Sequence, residues 1–566
     1  MIEVDSVEKE IKLIFEDSNI INVKIGTTVG KVIEMLNNDQ VIALRINGKI
    51  VSSETELTTD SYVNYITIAS RIGRKIYMKG LTYVYLLAVK ELYEDRASVY
   101  IKHSLDKSLY TEIKMKSQVD HSVVAQIKKK MKEIIKRDIP FRNISVDRND
   151  AIEYSKSVEE NEKVLNYTYM TKDSVTMCEL GDMYNYFYYI MPASTKILKR
   201  FDLTYVSPCG VAISYPIDNV VPKFNPTPKV LEAFKKYEKK LSTLGVHYAG
   251  DINKIVCDGN ISDYIQKNEI LYDENIREVA EKVSKDKNIK AIYISGPSSS
   301  GKTTTSKKLA LYLNAKGYDT LVISTDDYFV DRKDTPRKPD GSYEYEIVEA
   351  LDIKLFNSHI KSLLNGDEII KPTYNFITGE KEYKGKPISL KENQILIVEG
   401  LHAINERLSS SIDKKNKLKV YISPFTPVGL DRHNHISTTD LRLLRRMVRD
   451  YKHRGYSATD TLGTWKGMRS SEEEYVYPYQ READMVINTS LSYEIGVLRT
   501  YAEPLLYSVD KNNDCYEEAI RILKFLDGFL AIPSEYVPYT SVLPIPSESV
   551  PKTSILREFI GDSYFE

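Results

Sequence analysis

Gly296, Gly301, Lys302 and Thr303 stand in the stretch IYISGPSSSGKTTTSKKLA at the spacing G-x-x-x-x-G-K-[ST]. A loop of this pattern wraps backbone N–H groups around polyphosphate oxygens at a helix N-terminus, where orphan donors and the helix dipole already favour anions. Gly296, Ser298, Ser299, Ser300, Gly301, Lys302, Thr303 and Thr304 are therefore the expected contacts to ATP. Lys302 is placed to reach the β/γ-phosphates, and the Thr303 hydroxyl to sit on Mg²⁺. A glycine-rich turn without a ligand is the bland alternative. The context weighs against it: Ala291 to Ile294 reads as a buried strand, and Leu309 and Leu313 give the following run helical spacing.

Acids fall where such a loop needs them. The pattern of the C-terminal half predicts a parallel sheet covered by helices, with strands at Ala291–Ile294, Thr320–Ser324, Ile395–Val398, Lys419–Ile422 and Met485–Ile487. Ligands collect at the carboxyl ends of such strands. Asp326 and Asp327 follow the second strand in ISTDDYF, and Glu399 follows the third in ILIVEGLHA. Glu399 is suited to hold Mg²⁺ directly or through water, together with Thr303. Asp326 is placed to take the proton from an attacking hydroxyl. The competing task for an acid here is helix capping, for which Thr325 is the better residue.

Positive charge is concentrated in DLRLLRRMVRDYKHRG. On a helix, Arg442, Arg446 and Arg449 share one face, Leu441, Leu444 and Val448 form the packing face, and Arg454 precedes Gly455. A solvated basic stripe would look the same. Phosphoryl transfer, however, spreads negative charge over the moving group, and arginines closing on it contribute about 10³–10⁵ in rate. Arg446, Arg449 and Arg454 are the expected lid contacts.

These groups need a scaffold, and the chain is long enough for several. It has 566 residues, with 79 Lys+Arg against 80 Asp+Glu. A balance near zero supplies no global field toward nucleic acid or membrane. The four cysteines are far apart with no C-x-x-C, which argues against a disulfide framework or a zinc knuckle. The first residues, MIEVDSVEKE, are acidic where a signal peptide is basic, and no apolar run reaches about 18 residues, so a cytoplasmic protein is expected.

Residues 291 to about 500 resemble the uridine kinase and phosphoribulokinase family. GPSSSGKTT, ISTDDYF, NGDEIIKPTYNFITGEK, ILIVEGLHA and DLRLLRRMVRDYKHRG carry the likeness. The resemblance implies Asp326 as catalytic base, Glu346 on the sugar hydroxyls and Tyr374 against the nucleobase. Two positions depart from the pattern. Gly379 stands where a histidine reads the pyrimidine edge, and Tyr456 where a second arginine follows the lid glycine. The implied activity is ATP-dependent 5′-phosphorylation of uridine or cytidine, with Lys302, Asp326, Arg446, Arg449 and Arg454 as its catalytic groups.

The front of the chain is similar to that of threonyl-tRNA synthetases. Alternating runs at Ile11–Phe15 and Ile21–Ile25, a helix capped by Thr28, and the segment VIALRINGKIV resemble their TGS domain, a ubiquitin-like β-grasp module. Ser122 to Tyr154 is similar to the editing domain that comes after it there. The metal ligands of that domain fall on Lys79, Tyr83, Cys178 and Asp182, so three of the four are absent and an ammonium stands in place of one. This resemblance implies a β-grasp unit with no working editing site behind it. His103 is a lone histidine with an ordinary surface or hydrogen-bonded role expected. The basic run from Lys128 to Arg137 is interleaved with Ile127, Met131, Ile134 and Ile135, and reads as the solvated side of an amphipathic helix.

The expected organisation is α/β multidomain. A β-grasp unit spans 1–70, an α+β editing-like unit 71–215, and a linker with helices 216–285. A phosphate-loop parallel sheet occupies 286–510, then a C-terminal helix and tail run over 511–566, open to docking on that sheet unit. The expected partner is a small nucleoside acceptor, with no membrane. Two rivals stand beside it: a kinase of another hydroxylated metabolite such as a sugar phosphate, and an RNA-associated regulator using the loop as a switch. Steep salt dependence of RNA binding would favour the second.

Overall fold

The computed structural model of the protein describes residues 9–338, 341–426, 428–532 and 549–565, so most of the acidic start lies outside the described residues. Residues 10–67 build a mixed sheet in the order Ile20–Lys24, Glu10–Phe15, Ser61–Thr67, Val41–Ile46, Lys49–Ile50, with Glu10–Phe15 and Ser61–Thr67 parallel. Thr28 caps the helix Val29–Leu36 by accepting from Lys31 N–H, and Val29 and Val32 pack with Leu13, Phe15 and Leu44.

Helix α1 (Arg71–Tyr93) comes next, and every residue from Lys79 to Val89 is buried. A helix apolar all round has to be enclosed. Here the strand Ala97–Leu105 of a four-stranded antiparallel sheet, the helix His121–Lys136 and the first sheet surround it. The lysines of that second helix are partly engaged: Lys128 pairs with Asp202 at 2.6 Å and Lys130 with Glu133 at 3.2 Å. Ile127, Met131, Ile134 and Ile135 are buried beneath them.

Residues 215–227 carry no strand or helix, but the segment from 228 to 285 is more than a connector. Helix α2 (Pro228–Thr243) and the helices Ala249–Cys257 and Ile261–Lys285 bury Tyr237, Leu241, Ile252, Tyr264 and Tyr272 in the same core as the C-terminal sheet. The Tyr237 hydroxyl donates to Ser490 O at 2.9 Å, and the Tyr272 and Thr305 hydroxyls bond at 2.8 Å.

The C-terminal sheet is parallel throughout. Its strands β1 (Ala291–Ser295), β2 (Asp319–Ser324), β3 (Gln394–Glu399), β4 (Lys417–Ser423) and β5 (Met485–Asn488) lie in the order β2-β3-β1-β4-β5. Every residue of β1 and β4 is buried, as required of strands covered on both faces. Helix α3 (Lys302–Asn314) leaves the end of β1, while α4 (Thr438–Arg454) and α5 (Ala458–Tyr475) cross that end of the sheet. No helix among the described residues is long and apolar enough to cross a membrane.

One buried ion pair ties α4 to this core. Arg445 and Glu494 are both fully buried, with Nε and Nη2 of the guanidinium 2.6 and 3.0 Å from the carboxylate oxygens. Arg445 Nη2 also donates to Thr489 O at 2.7 Å. Glu494→Ala leaves that guanidinium buried without its counter-ion, so a loss of about 3–5 kcal/mol in unfolding free energy is expected, read from the urea midpoint.

Candidate active site

The loop after β1 turns through Ser299 at φ 60° and Gly301 at φ 86° before α3 begins at Lys302. Its carbonyls and N–H groups are held from behind by α4 and α5. Glu472, fully buried, accepts from Ser298 N–H at 2.8 Å and pairs with Arg442. Arg442 Nε donates to Ser298 O at 2.7 Å. Arg442 thus faces inward as a brace of the loop, although its spacing puts it in line with Arg446 and Arg449.

Lys302 folds over the loop, its Nζ donating to Gly296 O at 3.1 Å and Pro297 O at 3.3 Å. The Thr303 hydroxyl lies 3.4 Å from Glu399 Oε1. Parallel pairing sets Ser324 of β2 beside Glu399 of β3, so the turn carrying Asp326 opens next to that carboxylate. Ser324, and not Thr325, caps this turn, accepting from Asp326 N–H at 3.3 Å. The Asp326 side chain is open to water on one side of a cleft, yet the cleft walls raise its pKa above the ordinary aspartate value. Lys302 opposes that rise, Asp327 adds to it, and Arg454 and Arg449 oppose it from the lid. Asp327 itself is held in an ion pair with Lys371.

Glu399 is 6% exposed, and burial first and Asp326 second push its carboxyl up to about 7. Two carboxylates and a hydroxyl sharing a pocket with too little positive charge suit a hard divalent cation, so the donor set fits Mg²⁺. Glu346 is likewise pushed up to about 7, by burial and then by Glu472, and it feels Arg446, Asp326 and Lys302. His402 Nε2 donates to the Glu346 carbonyl at 2.8 Å, and burial holds this imidazole down to about 4.

The three lid arginines converge on one acid that sequence reasoning missed. Asp450, 1% exposed, lies 3.1 Å from Arg446 Nε, 2.7 Å from Arg449 Nη2 and 3.5 Å from Arg454 Nη1. Its spacing of four from both Arg446 and Arg454 was the available signal. Arg446 also donates to the Ser298 hydroxyl at 3.2 Å, joining lid to loop.

Tyr374 lies on the short strand Thr373–Asn375, which packs against the turn carrying Asp326. It is 5% exposed and lies among rings, with Phe329 at 5.5 Å and Phe376 at 5.0 Å between centroids, and its hydroxyl has no partner among the described residues. At Gly379 the backbone is left-handed, φ 77°, and a side chain there would fall within 2.7 Å of Arg332. Arg332 therefore fills the space beside the ring cluster, its Nη2 donating to Phe376 O at 2.8 Å.

The C-terminal segment supplies the other contact without a local signal. Ile555 lies where a side chain at Gly301 would be, 2.2 Å from its ideal Cβ position. One turn on, Glu558 Oε2 accepts from Thr304 N–H at 3.2 Å and from the Thr304 hydroxyl at 2.7 Å. A carboxylate thus occupies part of the anion cradle at the start of α3. Lys452 donates to Ile560 O, and Lys307 to Phe565 O. The proline- and serine-rich stretch leading into this segment lies, for residues 533–548, outside the described residues.

In the N-terminal half, the positions similar to an editing site are spent on packing. The Lys79 ammonium lies over the rings of Phe187, Tyr188 and Tyr189 at 5.8, 5.5 and 5.1 Å, and burial pushes it down to about 8. The Tyr83 hydroxyl bonds the carbonyls of Cys178 and Met183 at 2.8 and 2.7 Å, and Asp182 pairs with Lys90 at 3.0 Å.

Residues 291–495 match the Phosphoribulokinase / Uridine kinase family. A uridine kinase of Anoxybacillus flavithermus is 28% identical over 198 residues, 35% of this chain and 84% of that one. A uridine kinase of Staphylococcus aureus is 27% identical over 208 residues, 36% of this chain and 90% of that one. A threonine–tRNA ligase of Desulforamulus reducens is 28% identical over 176 residues, 30% of this chain but only 28% of the ligase. A solved structure described as a "Possible Uridine Kinase" from Bacillus stearothermophilus aligns at 19% identity and TM-score 0.26, over 38% of this chain and 98% of its own. The match to the family is confined to residues 291–495 of a longer chain.

Proposed function

We propose that this domain transfers the γ-phosphoryl group of ATP to a sugar hydroxyl of a nucleoside, with uridine or cytidine as first choice and the 5′-hydroxyl as nucleophile. The observation that carries the reading is the meeting of Lys302, Asp326, Glu399, Arg449 and Arg454 at the carboxyl ends of neighbouring parallel strands. Residues 296–304 would take the phosphate chain. Asp326 would accept the proton of the hydroxyl as its oxygen bonds the γ-phosphorus and the bond to ADP breaks. Lys302, Arg446, Arg449 and Arg454 would carry the charge that spreads over the transferring oxygens. Thr303 and Glu399 would hold Mg²⁺, which when bound supplies charge neutralisation between the phosphates. Glu346 would take the sugar hydroxyls, and Tyr374 one face of the base.

The edge of the base would meet Arg332, which stands where Gly379 leaves room for no side chain. A guanidinium offers donors only, and so suits acceptor edges such as pyrimidine carbonyls or a phosphate. Labelled ATP with a panel of nucleosides and sugar phosphates tests the acceptor. Uridine or cytidine as best substrate supports the proposal, and preference for a sugar phosphate replaces it with the metabolite-kinase reading. The front of the chain resembles a TGS β-grasp unit and a synthetase editing unit, and we assign it no chemistry.

Glu558 bears directly on nucleotide binding, since it holds the N–H of Thr304 that a nucleotide phosphate would use. Glu558→Gln weakens that contact and removes a negative charge from the cradle. MgATP affinity is expected to tighten about tenfold, the lower range of a charge-assisted hydrogen bond. Calorimetry with a non-hydrolysable ATP analogue checks this; unchanged affinity would mean that the carboxylate swings aside at no cost.

A further inference from the structure

Between the N-terminal half and the kinase-family domain lies a cavity of about 620 Å³, within the size range of small-molecule sites. Its walls come from α1, the strand Ala97–Leu105, α2, β4, the start of α4 and the far end of α5. Six of its lining side chains are Lys or Arg (Arg71, Arg74, Lys75, Lys107, Arg469, Arg481) against two acids. Those acids are already engaged: Glu473 accepts from Arg469 at 2.8 Å, and Asp106 accepts from Asn225 N–H. The Arg71 side chain makes no hydrogen bond or ion pair to any of the described residues, although Glu518 and Asp440 are near enough to act on its charge. A recess of about 190 Å³ shares Arg71, Arg74, Lys75, Arg469 and Glu473 with the main cavity and adds Lys466 and Asp440, the latter paired with Arg521 at 2.7 Å.

Arg74, Lys75 and Arg469 have carboxylate partners, Asp218 at 3.5 Å, Glu518 at 3.4 Å and Glu473 at 2.8 Å, whereas Arg71, Lys107 and Arg481 have none among the described residues, so the enclosed positive charge is only partly answered. Burial and then Arg521 bring Lys75 down to about 8, so the nearby Glu518 and Asp440 do not offset the cost of its charge. The start of α4 adds to the positive end. Ser437 caps Asp440 N–H, which leaves the N–H groups of Thr438 and Thr439, both in the cavity wall, without an intrahelical partner. The opposite end is flat and apolar. His103 stacks on Phe234 with centroids 3.5 Å apart and planes within 1°, and Phe425 lies 4.6 Å beyond. His103 is 6% exposed, not a surface residue, and its Nε2 has no partner among the described residues.

We propose that this cavity binds a free nucleotide, with its phosphates against Arg71, Lys75 and the N-terminus of α4 and its base toward Phe234 and Phe425. A cationic end and an aromatic end in one cavity suit a ligand that is itself anionic at one end and flat at the other. The site is separate from the phosphate loop and does not depend on the kinase reading. It touches α4 at one end, and the lid arginines lie at the other end of that 17-residue helix.

The test is calorimetric titration of the full chain with UMP and with AMP, in a Lys302→Ala background and again with Arg71→Ala added. Lys302→Ala removes the ammonium of the phosphate loop, so heat that survives it and is lost with Arg71 reports the cavity. Micromolar binding, weakened at least about tenfold by Arg71→Ala and restored by Arg71→Lys, is the expected result. Arg71→Ala breaks no side-chain hydrogen bond or ion pair among the described residues, though it removes a charge near Glu518, and if this variant melts early, exposed Lys107→Ala repeats the comparison. Absence of heat with both nucleotides, or affinity indifferent to Arg71 and Lys107, overturns the site. A short RNA oligomer that binds through Arg71 and that mononucleotides do not displace overturns the assignment to a free nucleotide.

Discussion

Lys302→Ala is expected to lower kcat/KM for ATP-dependent phosphorylation by at least about 10³-fold, or roughly 4 kcal/mol of transition-state stabilisation, while leaving the melting temperature nearly unchanged. The two halves of this expectation have separate causes. In the structure the ammonium rests on the carbonyls of Gly296 and Pro297, contacts of ordinary length at the edge of the cleft, which water can replace. Once it is removed Pro297 O keeps the N–H of Ser300 at 3.3 Å, and Gly296 O is left to water. With a triphosphate present, the same ammonium would serve both the loop and Asp326, whose carboxyl it holds down more than any other cation does. Lys302→Arg is also expected to fail, because a planar fork does not replace a compact point charge under a closed loop. Steady-state kinetics beside a thermal melt decide the matter. Loss of both activity and melting temperature would mean that Lys302 is a structural residue.

What could be foreseen from the residues tracked locality. The strands at 291–294, 320–324, 395–398, 419–422 and 485–487 stand out because parallel strands buried on both faces are continuous apolar runs, and the structure extends each by one to three residues. The phosphate loop is a local pattern, and Asp326 and Glu399 are visible because strand ends are. The groups that support them are not local. Glu472 reaches Ser298 across 174 positions and Glu558 reaches Thr304 across 254, and no periodicity links such residues. The proline-punctuated stretch before α2 has the appearance of a connector. Only the packing of Tyr237, Leu241 and Tyr272 with the sheet core places the helices after it within the same buried cluster.

The lid has a similar division. Arg442, Arg446 and Arg449 look equivalent by spacing, yet Arg442 is fully buried against Glu472 while the other two turn to Asp450. One carboxylate holding three guanidinium groups does two things. It offsets their mutual repulsion, and it fixes them as a set that a triphosphate can draw across together. Under the proposed mechanism Asp450 would be a positioning residue, acting through the arginines it pairs with.

Asp326→Asn is expected to cost about 10²–10⁴-fold in kcat, the range for a general base, and to change the shape of the pH profile. The sign is set by the surroundings of the carboxyl. The cleft walls and Asp327 raise the Asp326 pKa above the ordinary aspartate value, against the pull of Lys302, Arg454 and Arg449. A base works only when deprotonated, so kcat/KM should climb with pH along an acid limb whose midpoint lies above about 3.9, the value of an unperturbed aspartate. In the asparagine variant the Asp326 limb should vanish, since the amide does not titrate there, leaving only the titration of Glu346 and Glu399, both pushed up to about 7. Removing a cation should move the limb in a known direction. Arg454→Ala takes away a charge that lowers the Asp326 pKa, so its residual activity should show the acid limb displaced to higher pH. An asparagine variant that keeps its activity, or an Arg454→Ala limb displaced to lower pH, would remove Asp326 from the role of base and leave the hydroxyl proton to pass to phosphate or solvent.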